Sequence, residues 1–337
     1  MSEEVEATET PPSSPAKASP PEADATKGAS LWTDAWRRLR KNRVAVVSGV
    51  FIIFLTLFCI IWPEVSPFRY DDANIALGAT SPSWTHPFGT DDLGRDLLAR
   101  LAFGGRISLA VGIVATFISF AIGVTWGGVA GYFGGRIDAA LMRIVDVLYT
   151  IPLLVLVILV KAFFANDKTI FYRWFVWSIG LFTDHAKDPK YLPLFQIVFV
   201  FAALGGVSWL TMARIVRGQV LSLKSQQFIE AARSIGVGDA GIIFRHLLPN
   251  ALGPIIVYTT LTIPSVMLTE AFLSFLGLGT EEPLSSWGLL VANGTESLDL
   301  YPWLTFFPGL MLALTLLCFN FLGDGLRDAL DPRVRKD

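Results

Sequence analysis

Glu230-Ala-Ala-Arg-Ser-Ile-Gly236, followed by Leu247-Leu-Pro249, is a polar interruption between two long apolar runs, and its setting decides how the whole chain folds. At helical spacing, Phe228, Ala231, Ala232 and Ile235 fall on one face of a short helix. Gly236 is placed to adopt the positive φ that ends it. Asp239 is predicted to cap a second helix carrying Ile242, Ile243, Leu247 and Leu248. Two short amphipathic helices around a glycine bend make a knob suited to a groove on a partner. The competing reading is a solvated loop lying on the membrane surface, which the full spacing through Pro249 disfavours.

The solvent around this knob follows from composition. Of 337 residues, 53% are hydrophobic and only 17% charged, with 25 Phe and 10 Trp, and the mean hydropathy is +0.53. So little charge over such a length points to a bilayer. A formal net charge of -2 excludes nucleic acid as a natural partner. Cys59 and Cys318 lie inside apolar runs, without metal-ligand spacing, and read as packed thiols.

Six apolar segments are long enough to cross a hydrocarbon core, which takes about 20 helical residues. They are Val44–Trp62, Ile107–Phe133, Arg143–Phe163, Leu194–Ala213, Ala251–Leu278 and Leu304–Leu322, with Pro152, Pro264 and Pro308 inside spans. The fold class is therefore all-α, a polytopic membrane protein with six transmembrane helices. Arg37, Arg38, Arg40, Lys41 and Arg43 precede the first span and place the N-terminus in the cytoplasm. Six crossings return the C-terminus, with Arg327, Arg333, Arg335 and Lys336, to the same side. The knob, flanked by Arg214, Arg217, Lys224, Arg233 and Arg245, comes out there as well.

The expected organisation is a disordered cytoplasmic tail over 1–30, without the apolar core of a signal peptide, then a basic amphipathic segment over 31–43. In that segment Trp32, Trp36 and Leu39 turn toward lipid. The first span covers 44–62 and an external loop 63–105. A core with five spans covers 106–325, and a cytoplasmic tail 326–337. Within the external loop, Thr90 is expected to cap an interfacial helix with Leu93, Leu97, Leu98 and Leu101 along one stripe. Within the core, 163–193 reads as an external aromatic insert anchored to lipid, and 215–250 as the coupling loop.

Further segments carry a family resemblance. They are His86-Pro-Phe-Gly-Thr-Asp-Asp-Leu-Gly-Arg-Asp96, Gly105-Arg-Ile-Ser-Leu109, Tyr132-Phe-Gly-Gly-Arg-Ile-Asp138, and Ser208 through Gln219 leading into the knob. Phe272 through Gly279, Glu282-Pro-Leu-Ser-Ser-Trp-Gly288, and Asn320 through Pro332 complete the set. Together with the knob they resemble the C-type permease subunits of oligopeptide and dipeptide ABC importers, nearer the oligopeptide branch, from about Trp32 onward. His246 stands where the general permease motif often has Ile, and the aromatic insert is a second departure.

The resemblance implies a type I ABC importer permease fold and half of a transport path. It implies a homologous second permease subunit, two cytoplasmic ABC ATPases and an external peptide-binding protein as partners, in a bacterial inner membrane. ATP and Mg are expected on the partner ATPases and no cofactor on this chain, which has no Gly-x-x-x-x-Gly-Lys-Ser/Thr loop and is not expected to be an enzyme. Glu230, Ala231, Ala232 and Gly236 carry over as the ATPase-coupling helix. Arg217 and Arg233 are expected either to pair with acidic groups on the ATPase or to be solvated surface charges. Glu270, inside a span, either lines the path or pairs with a basic neighbour. Asp146 is expected to bridge to Arg143, one turn away. The rival class is an ATP-independent secondary transporter, which would need repeated halves and an ion site. Within the ABC class, dipeptides, nickel or another small solute are the alternatives.

Overall fold

The computed structural model describes residues 31–164 and 192–330, with positions 170, 173 and 177 between them. Predictions for the tail 1–30, for most of the aromatic insert and for the last seven residues lie outside the described residues. The fold is all-α: α1 Leu31–Lys41, α2 Arg43–Val65, α3 Leu97–Phe133, α4 Gly135–Thr150, α5 Leu153–Phe164, α6 Leu192–Leu223, α7 Gln227–Ser234, α8 Asp239–Phe275, α9 Trp287–Glu296 and α10 Trp303–Leu330.

Four of these helices, α2, α3, α8 and α10, are long and apolar enough to cross a membrane, and a bent pair makes up to five. The bent pair corrects the expected third span. Arg143–Phe163 is not one helix but breaks at Ile151 and Pro152, where α4 and α5 meet at 90°. The ring of Pro152 drives the preceding residue out of the helical region, and Ile151 duly sits at φ -79 and ψ 121. The expected fourth span falls inside the 32-residue α6. The second begins earlier than expected, because the interfacial helix read around residue 97 is the first part of α3. Its cap is Asp96, whose carboxylate accepts from the Ala99 amide at 2.7 Å. Thr90 caps nothing. Its hydroxyl accepts from the Thr80 amide and donates to the Gly78 carbonyl, both at 2.8 Å.

At 37 residues, α3 extends for about 55 Å and touches α2, α6, α8 and α9. Its closest neighbour is α6, and glycine makes the closeness possible. Gly123, Gly127 and Gly131 recur every four residues along one face. A Cβ at Gly123 would meet the Met212 side chain at 2.5 Å, one at Gly127 would stand on the Ala213 carbonyl, and one at Gly131 would meet the Arg217 carbonyl at 2.9 Å. Numbers rise together along the two helices, so they run parallel. The chain thus doubles back between them, through α4 and α5.

Contacts sort the helix ends into two groups. One end gathers the last turn of α3, α7, the start of α8, the end of α10 and the junction of α1 with α2. Gly325 of α10 sits against Ala45 and Leu39 there. The opposite end gathers the end of α2, the 66–96 segment, the start of α3, α9 and the start of α10. Trp287 is fully buried at that end, its amide donating to Ser108 Oγ and its indole to the Leu101 carbonyl, both at 3.0 Å. Pro63 lies inside α2 and has no N–H for the carbonyl of Cys59. Arg106 of α3 fills the vacancy, its Nε donating to that oxygen at 2.7 Å while the guanidinium pairs with Glu64 at 2.8 Å. A helix defect in α2 is thereby turned into a tie to α3.

Gly127→Ala puts a methyl group onto backbone, where no rotamer yields, so it should destabilise the protein by about 1–3 kcal/mol. Gly206→Ala, with open space at that position, should be neutral or gain up to ~1 kcal/mol from better helix propensity. Thermal unfolding of both variants in detergent checks the contrast. Equal behaviour would show that the glycine stripe does not set the α3–α6 distance.

Candidate functional site

The polar interruption folds into a knob, though not the one expected. Helix α7 buries Ile229 and Ala232 and half-buries Phe228 in a core with Met212, Val216, Val220, Ile242, Ile243 and Leu247. Ala231 faces outward, and Ile235 is 81% exposed. The inward stripe is thus the 228, 229, 232 set, and the outward one carries Glu230, Ala231 and Ile235. Gly236 has φ +83 and closes α7. Its amide donates to the Arg233 carbonyl at 3.0 Å and that of Val237 to the Ala232 carbonyl at 3.1 Å, the paired bonds of a Schellman turn. A Cβ on Gly236 would touch nothing within 4 Å, so the glycine is required by backbone conformation alone.

The second short helix is the start of a spanning one. From Asp239 the helix runs without a stop through a π-helical stretch, Ile242–Leu247, and on to Phe275. Pro249 has no N–H to offer the preceding turn, and the widened stretch before it accommodates its ring. Ile242, Ile243, Leu247 and Leu248 are all buried. Asp239 does not cap, since the N-cap is Gly238 and makes no side-chain bond. Its carboxylate instead accepts from the Tyr132 hydroxyl at 2.5 Å.

The arginines are engaged within the chain. Arg217 holds Asp138 with both Nε and Nη2, at 2.5 and 2.6 Å, an ion pair within the chain that joins α6 to α4. Arg233 lies over the Tyr132 ring, 5.5 Å from its centre. Lys224 donates to the Gly131 carbonyl at 3.1 Å. Asp146 pairs with Arg214 at 2.8 Å rather than with Arg143; a bond across two helices has displaced the one expected along the helix. Sequence spacing pointed to none of these partners, because each lies on another element.

Known proteins share these segments. A family model described as "Binding-protein-dependent transport system inner membrane component" matches residues 123–336, which include the whole knob. A second, the N-terminal transmembrane domain of oligopeptide transport permease C, matches residues 30–82. The chain belongs to the inner-membrane component family of binding-protein-dependent transport systems. It is 47% identical to an oligopeptide transport system permease protein of Escherichia coli K12, over 92% of this chain and 93% of the relative. It is 42% identical to a dipeptide transport system permease protein of Bacillus subtilis, over 94% and 90%. Identity to a glutathione transport system permease protein of E. coli is 38%, over 90% and 91%. The chain is accordingly a multi-pass inner-membrane component of an ABC importer, working with other permease, ATPase and binding-protein subunits.

At its opposite end the permease carries a charge cluster that joins two motif segments. Arg100 pairs with Asp91 and with Glu282, the latter at 3.1 Å, and Arg95 bridges the same two carboxylates at 2.7 and 3.1 Å. Ser285 donates to the Arg100 carbonyl at 3.0 Å, and Ser286 caps α9. These bonds fasten the 280–286 loop and α9 to the start of α3. Beside them lies a cleft of about 270 Å³ lined by Asp92, Arg95, Arg100, Asn293, Glu296 and Leu304. Both segments stood out in the sequence. The signal joining them was the matching charge: two arginines in one, a glutamate in the other.

Glu270 sits nearby on α8 with 0% exposure. Its Oε1 accepts from Ser274 Oγ at 2.6 Å and Thr280 Oγ1 at 3.4 Å, and Oε2 has no partner among the described residues. No described basic side chain pairs with it. Its neighbours are hydroxyls, and in this conformation it faces protein.

Burial pushes the Glu282 carboxyl up, but hydrogen bonds and charges from Arg95 and Arg100 outweigh that and hold it below the usual carboxylate range. Its contribution to stability is thus present above the ordinary Glu value of about 4.3 and is lost as pH falls through the depressed folded value. Thermal unfolding in detergent between neutral pH and about pH 3 should show a steeper acid loss for wild type than for Glu282→Gln. Parallel curves would show that the clamp carries no pH-linked stability.

Proposed function

We propose that this permease forms half of the membrane path of an ATP-driven oligopeptide importer and receives its power through α7. One homologous sister permease would complete the path, two ABC ATPases would bind at the knob, and an external binding protein would deliver the peptide. The reading takes six crossings, counting the four long helices, the bent pair as one span and α6 as another. On that count both termini and the knob would lie on the cytoplasmic side, an orientation that the basic residues around α1 and the knob support. ATP and Mg belong to the partner ATPases, with no cofactor on this chain.

The observation that carries the reading is the split face of α7. One stripe is sunk in the core that also holds α6 and the start of α8, while Glu230, Ala231 and Ile235 stand outward. An apolar side chain left open beside a charge, on a helix rigidly clipped to two spans, is the shape of a part that plugs into another protein. Ala232 supports the plug from inside, and Arg217 and Arg233 position it. An oligopeptide solute is favoured by the match of the N-terminal segment to the oligopeptide permease model. The dipeptide and glutathione relatives supply the second reading, a smaller peptide through the same path.

Gly236→Val forces a β-branched residue to positive φ at a cost of about 1–3 kcal/mol. That is roughly a five- to 150-fold loss of correctly bent knob. Glu230→Lys reverses the charge on the outward face. Neither lies within a span, so abundance in the membrane should hold while ATPase co-purification and peptide uptake in cells both fall. Ser225→Ala, exposed on the same loop, is the control. Full uptake and full ATPase binding in both variants would overturn the docking assignment of α7 and move ATPase contact to another surface of the chain.

A further inference from the structure

We propose that Tyr132 is the positioning residue through which displacement of the docking helix α7 reaches two spanning helices, α3 and α8; this rests on the docking reading of α7. Tyr132 occupies the last turn of α3 and is 7% exposed. Its hydroxyl donates to Oδ1 of Asp239, the first residue of α8, at 2.5 Å. Its ring receives the guanidinium of Arg233, on α7, at 5.5 Å. One side chain therefore touches the end of one span, the start of another, and the helix between them.

The other contacts of α7 are apolar or local. Ile229 and Phe228 enter an apolar core, with Ala232 buried as well, and the link to α8 turns at Gly236 through backbone bonds, with Val237 packed on the same core. These contacts seat α7, and the two polar contacts at Tyr132 add directed links to α3 and α8. Both have one charged partner, and one is a hydrogen bond to a carboxylate, the stronger and more geometrically exacting kind. Lys224 donates to the carbonyl of Gly131, the residue before Tyr132, and so ties the entry of the knob to the same turn of α3 as its exit. A push on Asp239 enters α8 just ahead of the Ile242–Leu247 stretch, where the helix is widened and its bonding register is not α-helical. A tilt of α7 thus changes the entry angle of α8 relative to α3 rather than dissipating in the loop.

The test uses the complete importer, with sister permease, ATPases and binding protein, in proteoliposomes with labelled tri-alanine as the transported probe. Tyr132→Phe keeps the buried ring and removes the hydroxyl. ATPase co-purification should match wild type and ATP hydrolysis should persist, while peptide moved per ATP falls by about three- to tenfold, the weight of one hydrogen bond. Asp239→Ala should give the same loss. The double variant should be no worse than either single one, and Asp239→Asn, which keeps an acceptor oxygen, should recover part of it. A wild-type peptide-to-ATP ratio in Tyr132→Phe, or additive losses in the double variant, would overturn the proposal. So would loss of ATPase binding in step with uptake. If Tyr132→Phe lowers folded yield, the Asp239 variants, at the exposed end of the contact, decide between these outcomes. Failure of the docking reading shows separately, as ATPases still bound to Glu230→Lys.

Discussion

The close approach of two backbones, α3 and α6, is the constraint that the rest of this fold depends on. In a bilayer, lipid tails are as apolar as leucine, so helices gain little by hiding hydrophobic surface from one another and must gain by packing. The glycines at 123, 127 and 131 remove the side chains that would hold α6 away. Because α3 and α6 lie parallel, the chain between them has to return across the molecule. Because α3 also touches α2, α8 and α9, its position fixes theirs. The knob inherits its location from this arrangement, since Tyr132, Gly131 and Arg217 are residues of that same helix pair.

A second regularity is that charge is settled inside the chain wherever helices meet. Arg217 with Asp138, Arg214 with Asp146, Arg106 with Glu64, and the four-membered cluster of Asp91, Arg95, Arg100 and Glu282 each join elements distant in sequence. Taking charges out of water is costly, and pairing across an interface recovers part of that cost while fixing geometry. Glu230 stands apart from this pattern: it faces outward on α7, on the stripe turned away from the core.

Features set by neighbouring residues were legible in the sequence. Four of the six apolar runs identified the helices long and apolar enough to cross a membrane, α2, α3, α8 and α10, and the glycine after a short amphipathic stretch identified the positive-φ turn at Gly236. The run from Ile242 to Leu248 identified a buried face. Features set by distant residues were not. Which stripe of α7 turns inward depends on where the core under it lies, so helical periodicity alone chose Ala231 and Ile235 where the fold buries Ile229. Asp239 has the chemistry of a cap, but Tyr132 reached it first. Asp146 had a plausible partner one turn away and found a better one on α6. The break at Pro152 was readable in principle, because a proline restrains its predecessor, yet neighbouring helices in membranes often absorb such a proline and only the packed structure decides. The role of Arg106 was hidden for a related reason: it answers a carbonyl freed by Pro63 on another helix.

The glycine face of α3 has a consequence for biosynthesis. Helices enter the membrane in the order they are made, and α3 enters when only α1 and α2 precede it. Its three glycines then present bare backbone to lipid until α6 has been synthesised and inserted, with α4 and α5 passing in between. The geometry that makes the finished permease rigid also makes its half-built form dependent on the timing of translation.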